Sequence, residues 1–341
     1  MTLLACAGAS RAVAQQADAI DIATYAGPDR TQKLIDGAKK EGTLMLYSSL
    51  SPEEIKALSD GFQKKYGIPV QSWRGDSESI VRRAVTEARA GRHDVDVAET
   101  SGTEMESIKR ENLLRTVQLP VFKDLLPQAI MKHRQWIATR LIVYSAAYNT
   151  NAINKADLPK TYADLLDPKW KGKLAVEADD AAWLMTLAGV MGEEKTIKLF
   201  HDIVARNDIS VRKGHTLLAQ LVVSGEVPLA LTAYLNRIDQ YQDRGAPTAP
   251  LFLPPAIALP TGAGVFRAAP HPYAAVLFMD YILGDGQTVL AKLKSVTTNR
   301  TVKIREGKEA LPNLTFVDVA KLLDENEKWR ALYQRLFVTK R

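Results

Sequence analysis

Three short polar turns in the first third of the chain each set hydroxyl groups where a helix is expected to begin: Ser48-Ser49-Leu50-Ser51-Pro52, Arg74-Gly75-Asp76-Ser77 and Thr100-Ser101-Gly102-Thr103. A helix start leaves backbone N–H groups without partners, and the summed peptide dipole favours an anion there by about 0.3 to 1 kcal/mol. Ser49, Ser51, Arg74, Ser77, Thr100 and Ser101, with Thr103 beside them, are therefore candidate contacts for an anionic ligand. Any one of these hydroxyls has a plainer use as a helix cap, Ser51 and Ser77 above all. Three such turns at the same end of one sheet would nonetheless converge on one crevice.

A second set lies farther along. Arg140 carries a planar fork that suits an oxyanion, and it suits a structural pair with a nearby carboxylate equally well. Lys213 and His215 stand at another expected helix start, Asp179 and Asp180 can cap a helix or receive an ammonium group, and Tyr234 can stack on or hydrogen-bond an organic ligand. Together these residues point to a small anionic or zwitterionic organic solute bearing a carboxylate, phosphonate or phosphate.

Other chemistries find little support. The five histidines, His93, His133, His201, His215 and His271, show no i, i+4 pair or other metal-ligand spacing. Ser210-Val211-Arg212-Lys213 fits a Ser-x-x-Lys pattern but lacks its companion motifs, and Gly262-Ala263-Gly264 lacks the third glycine of a dinucleotide fingerprint. No enzyme activity and no cofactor are expected. Cys6 is the only cysteine, which excludes an internal disulfide and a thiolate zinc site. The net charge of +6 is spread along the chain, not gathered into blocks, so no nucleic-acid partner is indicated.

A chain of 341 residues fits two α/β lobes of roughly 150 residues each. In the first, apolar runs at 43–47, 68–73 and 94–99 read as strands, each followed by one of the polar turns and then by a helix, over 53–66, 78–90 and 104–112. This alternation predicts a mainly parallel sheet with its ligand crevice beyond the carboxyl ends of the strands. Leu141 to Tyr148 is a longer buried run. After it, strands at 173–177 and 227–232 alternate with helices over 181–191, 193–207, 217–224 and 234–243. The proline-rich stretch 246–260 reads as a return crossover, 261–266 as a lead into helices at 272–283 and 287–293, and 316–337 as one closing helix.

The phrase Leu158-Pro159-Lys160-Thr161-Tyr162-Ala163-Asp164-Leu165-Leu166-Asp167-Pro168-Lys169-Trp170-Lys171-Gly172-Lys173 closely resembles the crossover of the iron-type periplasmic solute-binding proteins, which feed ABC importers. Ser224-Gly225-Glu226-Val227 and the run Ala274-Ala275, Phe278-Met279-Asp280 and Gln287 extend the resemblance over about residues 43–293. It implies a two-lobed periplasmic-binding-protein type II fold whose lobes, each a mainly parallel sheet flanked by helices, are joined by crossover strands. Lobe 1 would comprise 30–138 plus 256–298, and lobe 2 would comprise 139–255 plus 299–341. It also implies a monomeric receptor in the periplasm, closing about a hinge and passing its solute to membrane permease and ATPase subunits. In ferric-binding members, adjacent tyrosines after the strand that follows Gly-Glu-Val ligate the metal. Here Ala233 stands where the first of that pair would be, beside Tyr234, and the turn at Ser48 to Ser51 offers no histidine or tyrosine. A ferric receptor is therefore the alternative reading, and an enzyme on the same lobes a third. Residues 1–19 read as a leader: Ala12-Val13-Ala14 suits signal-peptide cleavage with a start upstream of Met1, and Cys6 suits lipoprotein anchoring.

Overall fold

The computed structural model describes residues 21–340, so the leader and Cys6 lie outside the described residues. Its first lobe is built from α1 (Arg30–Glu41), β1 (Leu44–Ser48), α2 (Pro52–Tyr66), β2 (Val70–Arg74), α3 (Ser77–Arg89), β3 (Val97–Ser101) and α4 (Gly102–Arg110). Local chemistry sets these bounds. Ser51 and Glu54 form a reciprocal capping box at α2, Pro52 occupies its first position, and Gly67 closes it at φ 76°. At α3 the cap is Asp76, which accepts from Ser79 N at 2.7 Å, and Ser77 is already the first helical residue. Helix α4 begins at Gly102, two residues before the expected 104, because the chain turns directly against the sheet there. A Cβ on Gly102 would lie 2.6 Å from the Pro260 carbonyl oxygen.

A 13-residue strand, β4 (Ile137–Asn149), then leaves this lobe. The second lobe contains β5 (Leu174–Glu177), α5 (Ala181–Met191), α6 (Glu193–Asn207), β6 (Ser210–Arg212), α7 (His215–Ser224), β7 (Leu229–Tyr234), α8 (Leu235–Asp243) and β8 (Thr248–Leu251). The chain returns through β9 (Ala256–Val265) to α9 (Pro272–Leu283), α10 (Asp285–Lys292) and β10 (Val296–Thr297), and ends in β11 (Leu314–Phe316), α11 (Val319–Asp324) and α12 (Asn326–Tyr333). Strand order is β2-β1-β3-β9-β4-β7-β5-β6. The pairs β1·β2, β1·β3, β5·β6 and β5·β7 are parallel, whereas β3·β9, β9·β4 and β4·β7 are antiparallel. The two long strands are thus shared between two parallel half-sheets, giving the two-lobed α/β fold. Trp183, Phe200 and Phe337 meet edge to face or tilted in one core, and Phe62, Phe278 and Tyr281 do so in the other.

Three expectations need correction. The stretch 246–260 is not one crossover: β8 pairs with β4, and a separate strand, β9, makes the return. Residues 261–265 belong to β9, because Thr261 to Val265 complete its ladder with β3. The closing helix is broken at Glu325 (φ −110°, ψ 15°) and ends in a π-helical turn, Gln334–Val338. The break follows from packing on two surfaces. Arg110 of α4 pairs with Asp324 of α11 at 2.5 Å, while Arg330 of α12 pairs with Asp179 beside α5 at 2.8 Å. Among the described residues no helix is long and apolar enough to cross a membrane.

Candidate functional site

On the first-lobe side, the end of β1 is tied to the end of β3. Ser48 Oγ donates to Glu99 Oε2 at 3.0 Å and accepts from Leu50 N at 3.1 Å, while Ser49 N donates to the Glu99 carbonyl at 3.0 Å. Ser51 is occupied by its capping box, Arg74 is exposed and donates through Nε to the Leu50 carbonyl at 2.8 Å, and Ser101 Oγ donates to the Glu104 carboxylate. Thr100 is buried, and its hydroxyl has no partner. Arg140 Nε lies 3.5 Å from Glu99 Oε1, an ion pair without a hydrogen bond, so the buried Nε–H has no acceptor. Burial pushes the Glu99 carboxyl up, and Arg140 only partly offsets this. Burial works against ionisation of Glu54 as well, yet Arg140 and the hydrogen bonds from Ser51 and Ser295 hold that carboxyl below its usual range. The half-buried Arg140 is therefore already confronted by two carboxyl groups.

The second-lobe side is denser. β5 ends on Glu177, β7 ends on Tyr234, and the turns after β5 and β6 bring in Asp180 and His215. His215 Nδ1 is 3.1 Å from the Thr232 carbonyl oxygen. A carbonyl can only accept, so Nδ1 carries the proton. That leaves His215 Nε2 directed at Asp180 Oδ1, 3.3 Å away. Two acceptors at that separation need a cation between them, a proton or a metal ion. Asp180 is buried, its Oδ2 has no partner, and burial pushes its carboxyl up, against the lowering effect of His215. Tyr234 stacks on the His215 ring with centroids 3.4 Å apart, and Tyr144 meets Tyr234 edge-on at 5.6 Å. Burial first, then neighbouring phenol or carboxylate charge, push both phenol groups up, so both hydroxyls are protonated at neutral pH. Asp179 points outward to Arg330, and Lys213 is exposed.

The structure thus brings His215 and Tyr234 together with Asp180, and sets Arg140 four residues before Tyr144 on the shared strand, roughly 13 Å apart at the usual strand rise. Asp179 and Lys213 stand outside that group. Sequence reasoning did not single out Tyr144, Glu177 or Glu54, and it weighed Glu99 only as a carboxylate that could receive the ammonium group of a zwitterion. Tyr144 is read there as one more apolar strand residue. Only the β4·β7 register, which opposes Tyr144 to Tyr234, reveals it. A cavity of about 840 Å³ lies elsewhere, lined by Asp239, Ser295, Arg305 and Lys308 among others, and its Arg305 and Lys308 are already paired with Asp239.

The family model described as bacterial extracellular solute-binding protein matches residues 47–289. The Fe(3+)-binding periplasmic protein of Serratia marcescens is 26% identical over 266 residues, covering 74% of this chain and 77% of that protein. Among solved structures, the Trichodesmium protein in complex with iron and citrate superimposes with a TM-score of 0.75 at 20% identity, covering 86% of this chain and 99% of that one. AfuA from Actinobacillus pleuropneumoniae, with bound fructose-6-phosphate, gives a TM-score of 0.69 at 20% identity, covering 87% and 98%. At these identities the two structures speak for the fold alone.

Proposed function

Because the chain belongs to the family of bacterial extracellular solute-binding proteins, we propose that it is a periplasmic receptor that captures ferric iron between its lobes. It then hands the ion, chemically unchanged, to the permease and ATPase subunits of an ABC importer. The observation that carries the choice of cargo is the pair of facing acceptors, His215 Nε2 and Asp180 Oδ1, with the unpartnered Asp180 Oδ2 and two phenols beside them. A hard trivalent ion favours anionic oxygen, and a carboxylate with two phenolates supplies three such donors. The loss of a tyrosine at Ala233 is made good across the sheet by Tyr144. The name of the Serratia relative supports the same cargo.

Titration with ferric citrate is the test. Tyrosinate coordination gives an intense visible charge-transfer band, and Tyr234→Phe and Tyr144→Phe should each weaken it and lower the affinity. A colourless mixture at saturating iron would sink the ferric reading. The unpaired Nε–H of Arg140 favours a second reading, an organic oxyanion bound alone or beside the metal. Its mark would be calorimetric binding of a carboxylate or phosphate solute that Arg140→Ala weakens by roughly 30-fold or more, the consequence of losing about 2 to 5 kcal/mol from a buried charged contact.

A further inference from the structure

Glu177 groups with Asp180 and His215, with ligand-capable atoms of all three within 4.8 Å of one another, so proximity alone would count it as a third ligand. Its bonding says otherwise. Oε1 accepts from Gly214 N at 2.8 Å and Oε2 accepts from Asp179 N at 2.6 Å. The backbone N–H of Glu177 donates to Thr232 Oγ1 at 2.9 Å, and its carbonyl accepts from Tyr333 Oη at 2.6 Å. Each contact fixes something next to a site residue. Asp179 precedes Asp180, Gly214 precedes His215, and Thr232 both receives the His215 Nδ1 proton on its carbonyl and lies two residues before Tyr234. Gly214 adopts φ 102°, a conformation that glycine alone takes without strain, and in that conformation its N–H reaches Glu177.

We propose that Glu177 is a positioning residue and not a ligand: its carboxylate bridges the β5–α5 and β6–α7 turns and so holds Asp180 and His215 at the separation a cation requires. The bridge needs both oxygens as acceptors and the full length of the glutamate side chain. A carboxamide turns an N–H₂ group toward one of the two backbone N–H groups and frees that turn. The inference rests on the ferric reading for the identity of the cation, but the bridge itself is a property of the unloaded protein.

The decisive variant is Glu177→Gln. At saturating ferric citrate its charge-transfer maximum should coincide with that of the wild type, because no ligand has changed. Its affinity, from competition with citrate, should fall about 10- to 100-fold, the usual effect of removing a group that orients metal ligands. A shifted or missing band at saturation would make Glu177 a ligand and overturn the proposal, as would an unchanged affinity. Gly214→Ala, which strains the same bridge from a residue with no side-chain donor atom, should give the same pairing of unchanged colour and weakened binding. It serves if Glu177→Gln does not fold, and an undiminished affinity in it would equally refute the proposal. Without iron, the imidazole nitrogen resonances of His215 should move in Glu177→Gln while those of His93 and His201 stay in place. Unmoved His215 signals would overturn the bridge whatever the cargo, whereas a wild type that gives no band refutes the ferric reading alone.

Discussion

At the scale of single residues, both faces hold unpartnered buried atoms, Arg140 Nε and the Thr100 hydroxyl on the first-lobe side and Asp180 Oδ2 on the second, and they differ in charge. Arg140 meets Glu99 and Glu54, so its charge is largely answered within the protein. Asp180 has an oxygen with no partner at all. An unsatisfied buried acceptor costs about 1 to 3 kcal/mol, a cost that the cation of the proposed function would remove. The phenols sharpen the expectation. Tyr144 and Tyr234 are held protonated by burial and by neighbouring negative charge, so an ion bound through them must displace a proton from each. The sign follows directly: acid favours the empty, protonated site, and rising pH favours the loaded one. Each ligating phenol should therefore add about tenfold in affinity per pH unit below its own ionisation. Competition titrations across pH, corrected for iron hydrolysis, should show a slope that falls by about one on Tyr144→Phe. An unaltered slope would remove Tyr144 from the ligand set. His215 and Tyr234 are legible as candidates in sequence because they sit at a helix start and a strand end, whereas Arg140, expected at the entry to a strand beginning at 141, lies inside β4. Tyr144 is not legible, because an apolar run conceals which face each residue takes until the neighbouring strand fixes it.

At the scale of elements, legibility tracks how local the determining chemistry is. The first three strand-turn-helix units can be read because Ser51, Pro52, Gly67 and Asp76 specify their helix ends from within a few residues. The broken C-terminal helix cannot, because the break depends on α4 and α5, which lie more than a hundred residues earlier in the chain. The early start of α4 is of the same kind. Its first residue touches β9, where a Cβ would lie 2.6 Å from the Pro260 carbonyl and 3.0 Å from Val319 Cγ1. Neither backbone can retreat without disturbing the β3·β9 ladder, in which Ser101 opposes Thr261. Gly102→Ala should therefore destabilise the protein by about 1 to 3 kcal/mol, the usual cost of overpacking a filled contact. A chemical denaturation midpoint equal to the wild type would show that α4 tolerates being lifted from β9.

At the scale of the molecule, the two candidate faces lie on the two parallel half-sheets and are linked by two long strands, β4 and β9. Tyr144 and Arg140 lie on the same strand, β4, yet Tyr144 pairs with β7 of the second lobe while Arg140 pairs only with β9 and β10. If β4 and β9 bend between these positions on loading, the distance from the Glu99 and Arg140 face to the Asp180 and His215 cluster changes while the cores of the two lobes stay as they are. The α11–α12 pair is divided at Glu325, with α11 paired to α4 through Asp324 and Arg110 and α12 to Asp179 beside α5 through Arg330, so such a bend would fall on that break. A solute that touches only one lobe gives the molecule no reason to close; one that gains contacts from both favours the closed form by the energy of the added contacts. Small-angle X-ray scattering of the iron-free chain should give a radius of gyration somewhat above the about 20 Å expected for a compact chain of this length, falling on saturation with ferric citrate. Tyr234→Phe combined with Tyr144→Phe should leave the radius at its iron-free value under the same conditions. If the wild-type radius does not change while the charge-transfer band develops fully, the ion is held by the second lobe alone, and the shared strands serve as a fixed scaffold with no hinge motion.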